Sequence, residues 1–147
     1  MSILGLGVDV VHISRIASLV ARRGQQRFAQ RILSVEELSD FKISTISPTR
    51  FLAVRYIIII YYPVSGGIYI LCSFSVKEAA FKALYPIAKP TWKELTYRSA
   101  SNPPDTSKPH LIYKPLAPPE SLRIGQILVS VSHDGEYVMT AVIVTSA

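Results

Sequence analysis

Residues 3–11, ILGLGVDVV, constrain the fold more than any other stretch of this chain. Apolar side chains alternate there with glycine and aspartate, the period of two that a β-strand requires. Leu4, Leu6, Val8 and Val10 share one face, and Gly5, Gly7 and Asp9 share the other. Two positions without side chains leading up to a carboxylate mark a face that a ligand or another backbone approaches closely.

The pattern then changes to a helical one. Ile13, Ile16, Ala17 and Val20 recur at helical spacing, Gly24 supplies the stop, and Arg15 and Arg22 lie off the apolar stripe. Ser34 and Glu37 have the spacing of a capping box for a helix through Leu38 and Phe41. Ser47-Pro48 opens another helix that runs through FLAVR and resumes at FSVKEAAFKAL, with Pro86 and Pro90 ending it. Short strands follow in ELTYRSA, HLIYK, QILVSVS and YVMTAVIV, the last two joined by an Asp134-Gly135 hairpin signal. Helices crowd the first half and strands the second, with no internal repeat. A chain of 147 residues in this order reads as one α+β domain.

Between FLAVR and FSVKEAAFKAL lies YIIIIYYPVSGGIYILCS, residues 56–73, without a single charge. Pro63 and Gly66-Gly67 divide it into halves too short for a membrane span, which needs about 20 unbroken apolar residues. IIIIYY and IYILCS, rich in β-branched and aromatic residues, predict a two-stranded hairpin around PVSGG.

Charge narrows the partners. Sixteen Lys and Arg against ten Asp and Glu give a net charge of +6, which favours an anionic partner. The basic residues are scattered, without zinc-finger spacing or a lysine run, which argues against nucleic acid. Cys72 is the only cysteine, so no intrachain disulfide is available. The first residues lack the basic region and cleavage site of a signal peptide, and cytoplasm or mitochondrial matrix is the expected compartment.

Three places carry chemistry. On a helical wheel Phe74, Phe81, Lys82 and Tyr85 fall within roughly 60° of Glu78 at about 100° per residue. Glu78 and Lys82 are therefore expected as an i,i+4 ion pair, either solvated or set in an aromatic stripe where a carboxylate requires a partner or a task. Asp9 serves either as a cap for the helix containing Ile13 or, with Glu78, as an oxygen ligand suited to Mg²⁺. In VSVSHD, residues 129–134, Ser130 and Ser132 share a strand face and His133 is expected at the turn, as phosphate-binding groups or as plain surface polar residues. Adjacent residues cannot stack into a Ser-His-Asp triad, and no GxSxG, Walker or GxGxxG motif is present.

Taken in order, GLGVDVVHISRI, FLAVR with FSVKEAAFKAL, and VSVSHD resemble the motifs of holo-acyl-carrier-protein synthases, the small 4′-phosphopantetheinyl transferase family. The resemblance implies a small antiparallel sheet packed against a long central helix and shorter helices, in a single domain over residues 1–147. It further implies Mg²⁺-dependent transfer of 4′-phosphopantetheine from coenzyme A to a serine of acyl carrier protein, releasing adenosine 3′,5′-bisphosphate, in fatty acid biosynthesis. Asp9 and Glu78 would hold Mg²⁺, with Glu78 and Lys82 catalytic. Arg55, Lys82, Ser132 and His133 would bind coenzyme A, and Arg15 and Arg22 would meet the acidic carrier. A homotrimer with sites between subunits is implied as well, with no nucleic-acid or membrane partner.

The 56–73 block departs from the pattern, since family chains run almost directly from the arginine of FLAVR to the phenylalanine of FSVKE. It reads as a retained intron or a lineage-specific hairpin. In the second case a catalytically inactive relative that binds coenzyme A or the carrier is the alternative.

Overall fold

The computed structural model describes residues 2–46, 67–98, 108–116 and 124–147. Arg55, the helix start at Ser47-Pro48, FLAVR and residues 56–66 of the uncharged block lie outside the described residues. The element order is β1 (Ile3–His12), α1 (Ile13–Arg23), α2 (Gln25–Ile32), α3 (Val35–Ile46), α4 (Gly67–Leu84), β2 (Leu95–Arg98), β3 (His110–Tyr113), β4 (Ile124–Asp134) and β5 (Tyr137–Ser146). The strands form one antiparallel sheet in the order β1-β5-β4-β3-β2. One face of that sheet carries α4, so the architecture is the expected α+β.

The glycine face of β1 is the inner one. A Cβ on Gly5 would lie 1.9 Å from the Ala83 carbonyl oxygen, and one on Gly7 would lie 1.9 Å from that of Ala79. Both glycines are therefore required by the backbone of α4, which settles the choice between ligand and backbone. Val11, Val138, Val142 and Val144 fill the same face and pack with Val76, Ala79, Ala80 and Ala83 of the helix. Small residues on α4 let strand and helix come this close, and that approach fixes where Asp9 meets the helix.

The other face of β1 was the expected apolar one, yet Leu6, Val8 and Val10 are exposed. In register beside them stand Ile143, Ala141 and Met139 of β5, then Leu128, Ser130 and Ser132 of β4. Leu128 and Met139 are exposed with them, so this outer sheet face is apolar and open in the single chain.

Residues 68–73, expected as the second strand of a hairpin, are helical instead. They form part of α4, with Ile70, Leu71 and Ser73 buried. Strand propensity describes fit to a half-buried pleated surface and yields to context. Here α4 is already anchored on β1, and adding residues to an existing helix costs little compared with nucleating one.

Elsewhere local signals hold. Gly24 ends α1 at φ 81°, and Gly135 takes φ 51° in the two-residue β4–β5 turn. The capping box forms both ways: Ser34 N–H donates to Glu37 Oε2 at 2.7 Å, and Glu37 N–H donates to Ser34 Oγ at 3.2 Å. Helix α2 has no counterpart in the sequence reading. It buries Phe28, Ala29 and Ile32, and its eight residues are too few for a clear period.

Candidate functional site

The site forms where β1 runs alongside α4. Asp9 projects from the inner face of β1, and Lys82 Nζ reaches it from α4, donating to Asp9 Oδ1 at 2.9 Å and to the Val8 carbonyl at 2.8 Å. Ser75 Oγ, one helical segment earlier, donates to Asp9 Oδ2 at 3.1 Å. Asp9 is not the cap of α1, since His12 occupies that position and the Ile13 N–H donates to the Glu136 carbonyl at 2.8 Å. His12 is itself held between Ser14 Oγ at 2.5 Å and Glu136 Oε2 at 3.0 Å.

Lys82 therefore pairs with Asp9, and the expected i,i+4 salt bridge to Glu78 does not form. The physical reason is geometric: the glycine face brings β1 against α4, so a strand carboxylate lies nearer to Lys82 than its helical neighbour does. Glu78 is half-buried. Burial pushes its carboxyl upward, the Asp9 charge adds to this, and Lys82 and Arg15 pull back. Two carboxylates, one ammonium and the Arg15 guanidinium thus share one electrostatic neighbourhood.

The aromatic stripe divides. Phe74 lies inward, stacked on Phe28 at 6.3 Å and Trp92 at 5.3 Å. Phe81 and Tyr85 are exposed and stacked on each other at 6.2 Å, with Lys89 Nζ 5.5 Å from the Tyr85 ring centre. Glu78 stands at the boundary between them.

The residue types suit Mg²⁺. Two oxygen ligands on rigid elements leave the other coordination places to water and phosphate oxygens, the arrangement magnesium favours. No group of three or more His, Cys, Asp or Glu side chains suited to a metal occurs among the described residues.

Of the other expected residues, Arg15 acts on Glu78 only through its charge, and Ser132 lies apart from this cluster. Arg15 and Arg22, seven residues apart on α1, are both exposed. Residues 13–34 contain five arginines and no acidic residue, so the α1–α2 segment is strongly positive. Ser132 aligns with Met139 and Val10 on the outer face, whereas Asp9 aligns with Thr140 and Val131 on the inner one. His133, expected at the turn, lies within β4, opposite Val138 and on the face away from Ser132. The turn comes two residues later because Gly135 supplies the positive φ.

Lys77, which the sequence reading passed over, holds the helix in place together with Glu37, which was read only as a cap. Lys77 is buried beside Glu37, Nζ to Oε2 at 2.5 Å, and also donates to the Ile32 carbonyl at 2.8 Å and the Trp92 carbonyl at 3.0 Å. Burial lowers the Lys77 pKa against the pull of Glu37. The only advance signal was Glu37 in its capping box, which suggests a cap and not a buried ion pair.

No helix among the described residues is long and apolar enough to cross a membrane. The family described as the 4′-phosphopantetheinyl transferase superfamily matches residues 5–142. Similar curated proteins include a holo-[acyl-carrier-protein] synthase of Escherichia coli, 43% identical over 83 residues covering 56% of this chain and 50% of the relative. One of Buchnera aphidicola is 39% identical over 84 residues, covering 57% of this chain and 51% of the relative. The chain thus spans about half the length of the curated relatives it matches. Among solved structures, holo-[acyl-carrier-protein] synthase from Neisseria meningitidis aligns with a TM-score of 0.70 and 26% identity over 98% of this chain and 99% of the other. A Bacillus anthracis holo-(acyl-carrier-protein) synthase, solved in complex with coenzyme A (3′,5′-ADP), shares the fold with a TM-score of 0.66 at 22% identity, covering 100% of both chains.

Proposed function

This chain belongs to the 4′-phosphopantetheinyl transferase superfamily, and we propose that it transfers 4′-phosphopantetheine from coenzyme A to a serine of acyl carrier protein. The observation that carries this reading is the convergence of Asp9, Glu78 and Lys82 where β1 meets α4. Mg²⁺ held by Asp9 and Glu78 would neutralise charge on the coenzyme A diphosphate. The carrier serine hydroxyl forms the new bond to phosphorus, the diphosphate bond breaks, and adenosine 3′,5′-bisphosphate leaves. Such a transfer depends on in-line positioning and charge neutralisation more than on a strong nucleophile.

Lys82 supplies a second positive charge to the phosphates from the exposed side. Glu78, with its carboxyl raised by burial, or a metal-bound water would take the serine proton. Arg15 and Arg22 present the positive face to the acidic carrier, where complementary charge speeds encounter. Arg55 is assigned to the nucleotide from the sequence pattern.

We place Ser132 at the nucleotide of a neighbouring subunit, and assign His133, on the opposite face of β4, to the nucleotide from the sequence pattern. Ser132 faces away from Asp9 in its own chain, and it shares its sheet face with exposed Leu6, Val10 and Met139. A homotrimer closed over that face would supply Ser132 across the interface. Residues 1–147 are read as one domain of this family, acting in cytoplasm or mitochondrial matrix.

A second reading, binding of coenzyme A or carrier without transfer, draws on α4. Its first seven residues, 67–73, come from the uncharged block, so the residue preceding Phe74 is Ser73 in place of an arginine. Incubation with coenzyme A, Mg²⁺ and a bacterial-type acyl carrier protein separates the two. Transfer predicts a carrier heavier by one phosphopantetheine on its serine; an unmodified carrier with retained coenzyme A binding sinks the transferase reading.

A further inference from the structure

Asp9 stands between two hydroxyl-bearing side chains. On the helix side, Ser75 is fully buried and donates to Asp9 Oδ2 at 3.1 Å. On the strand side, Thr140 of β5 is the direct cross-strand neighbour of Asp9 on the inner face, a relation that sets Cβ atoms about 4.5–5.5 Å apart. Thr140 is also fully buried, and its Oγ1 has no hydrogen-bond partner among the described residues. The row across the sheet runs Asp9, Thr140, Val131, so the polar side chain beside that hydroxyl is Asp9.

A buried hydroxyl without a partner costs about 1–3 kcal/mol, and valine would fill the same volume without that cost. Such a group requires an explanation, and a water or ion is one of the recognised kinds. Asp9 already accepts from Lys82 and Ser75, but a carboxylate has about four lone-pair sites. Capacity remains for a further donor and for a cation.

We infer that Thr140 and Ser75 are positioning residues for the divalent-cation site, an inference that rests on the Mg²⁺ reading above. Ser75 fixes the Asp9 carboxylate from α4. The Thr140 hydroxyl donates to Asp9, or to a water in the outer coordination shell, once the cation is bound. Outer-shell partners of this kind orient ligands and typically change metal affinity by about 10–100-fold when removed.

The test titrates Mg²⁺ into the full chain saturated with coenzyme A, followed by calorimetry. Thr140→Val should raise the apparent Mg²⁺ dissociation constant by about tenfold or more, while Thr140→Ser stays near wild type. Ser75→Ala should raise the constant as well. Without Mg²⁺ the melting temperature of Thr140→Val should equal or exceed that of wild type, since the orphaned hydroxyl is gone. A wild-type Mg²⁺ constant in Thr140→Val, no rescue by serine, or a lower metal-free melting temperature in Thr140→Val overturns the inference while leaving the cation site intact. Absence of any Mg²⁺ binding by wild type overturns the cation site itself, and this inference with it.

Discussion

Helix α4 carries two lysine–carboxylate pairs five residues apart, and they have opposite characters. Lys77 and Glu37 are both 0% exposed, whereas Lys82 and Asp9 are 48% and 13% exposed. All three protons of the Lys77 ammonium are used within the chain. Glu37 accepts in turn from Ser34 N–H, Ser73 Oγ at 2.6 Å and Tyr97 N–H at 3.2 Å. Lys82 makes two such bonds among the described residues and acts on the half-buried Glu78 through its charge. The chemistry is the same in both pairs, but one is saturated from inside and the other is left open to a ligand. Saturation, more than burial alone, separates a pair that holds the fold from one that can work.

The largest effect expected from this contrast falls on stability. Lys77→Ala strands the buried Glu37 charge and should cost about 3–5 kcal/mol. That corresponds to a melting-temperature drop of about 6–20 °C at roughly 2–4 °C per kcal/mol for a domain of this size. Lys82→Ala breaks an ion pair whose lysine is 48% exposed and should change stability by at most about 1 kcal/mol. Thermal unfolding of the two variants side by side decides it, and equal shifts would erase the distinction.

Activity should reverse the ranking. Glu78→Gln keeps the shape but makes a poor magnesium ligand and no base, so turnover should fall at least about a hundredfold, roughly 3 kcal/mol of transition-state stabilisation. Its melting temperature should hold or rise, because burial and Asp9 already disfavour the Glu78 charge. Asp9→Asn should lose as much, and the double variant little more, since both residues serve one ion. Near-normal turnover of Glu78→Gln at saturating Mg²⁺ would remove the open pair from the mechanism.

Arg15 tests the boundary of the open site. Arg15→Glu should raise the KM for an acidic carrier by about tenfold, or 1.4 kcal/mol. Coenzyme A affinity should change far less. An equal loss for both substrates would place Arg15 in the nucleotide site instead of on the docking face.

Much of this molecule was legible in the sequence, because strand period, capping box and turn glycine are local signals. ILGLGVDVV, Ser34 with Glu37, and Gly135 all report their own backbone. What escaped was decided by distant partners. Which face of β1 turns inward depends on the α4 backbone needing Gly5 and Gly7 clear, a requirement that lies 70 or more residues away. Lys77 reads as a surface lysine until Ile32, Glu37 and Trp92 are brought around it. Residues 68–73 carry strand composition, yet a helix already seated on the sheet captures them. At the candidate site, Asp9, Glu78 and Lys82 were picked out by residue type and family pattern, but the pairing of Lys82 with Asp9 and the placement of Ser75 and Thr140 beside Asp9 required the fold.

A third lysine–carboxylate pair completes the series with the smallest effect. Glu36 Oε1 accepts from Lys114 at 2.8 Å and Glu36 Oε2 from Thr96 at 3.1 Å, with the lysine and glutamate side chains 64% and 40% exposed. The Lys114 bond, followed by that from Thr96, lowers the Glu36 carboxyl from 4.5 to about 2. A depressed carboxyl stabilises the fold above its unfolded pKa, and that contribution is lost as pH falls through 4.5 toward about 2. Solvent screening at this exposure holds the effect below about 1 kcal/mol. Glu94 titrates low in the same direction, burial being outweighed by bonds from Thr91 and Leu116, so acid sensitivity will not vanish when Glu36 is replaced. Denaturant unfolding of wild type and Glu36→Gln at pH 6 and pH 3 should therefore show a small gap at the higher pH that narrows at the lower one. A gap that widens with acid would mean that Lys114 and Thr96 do not hold the charged form, and that exposed pairs on this fold contribute nothing even when doubly bonded.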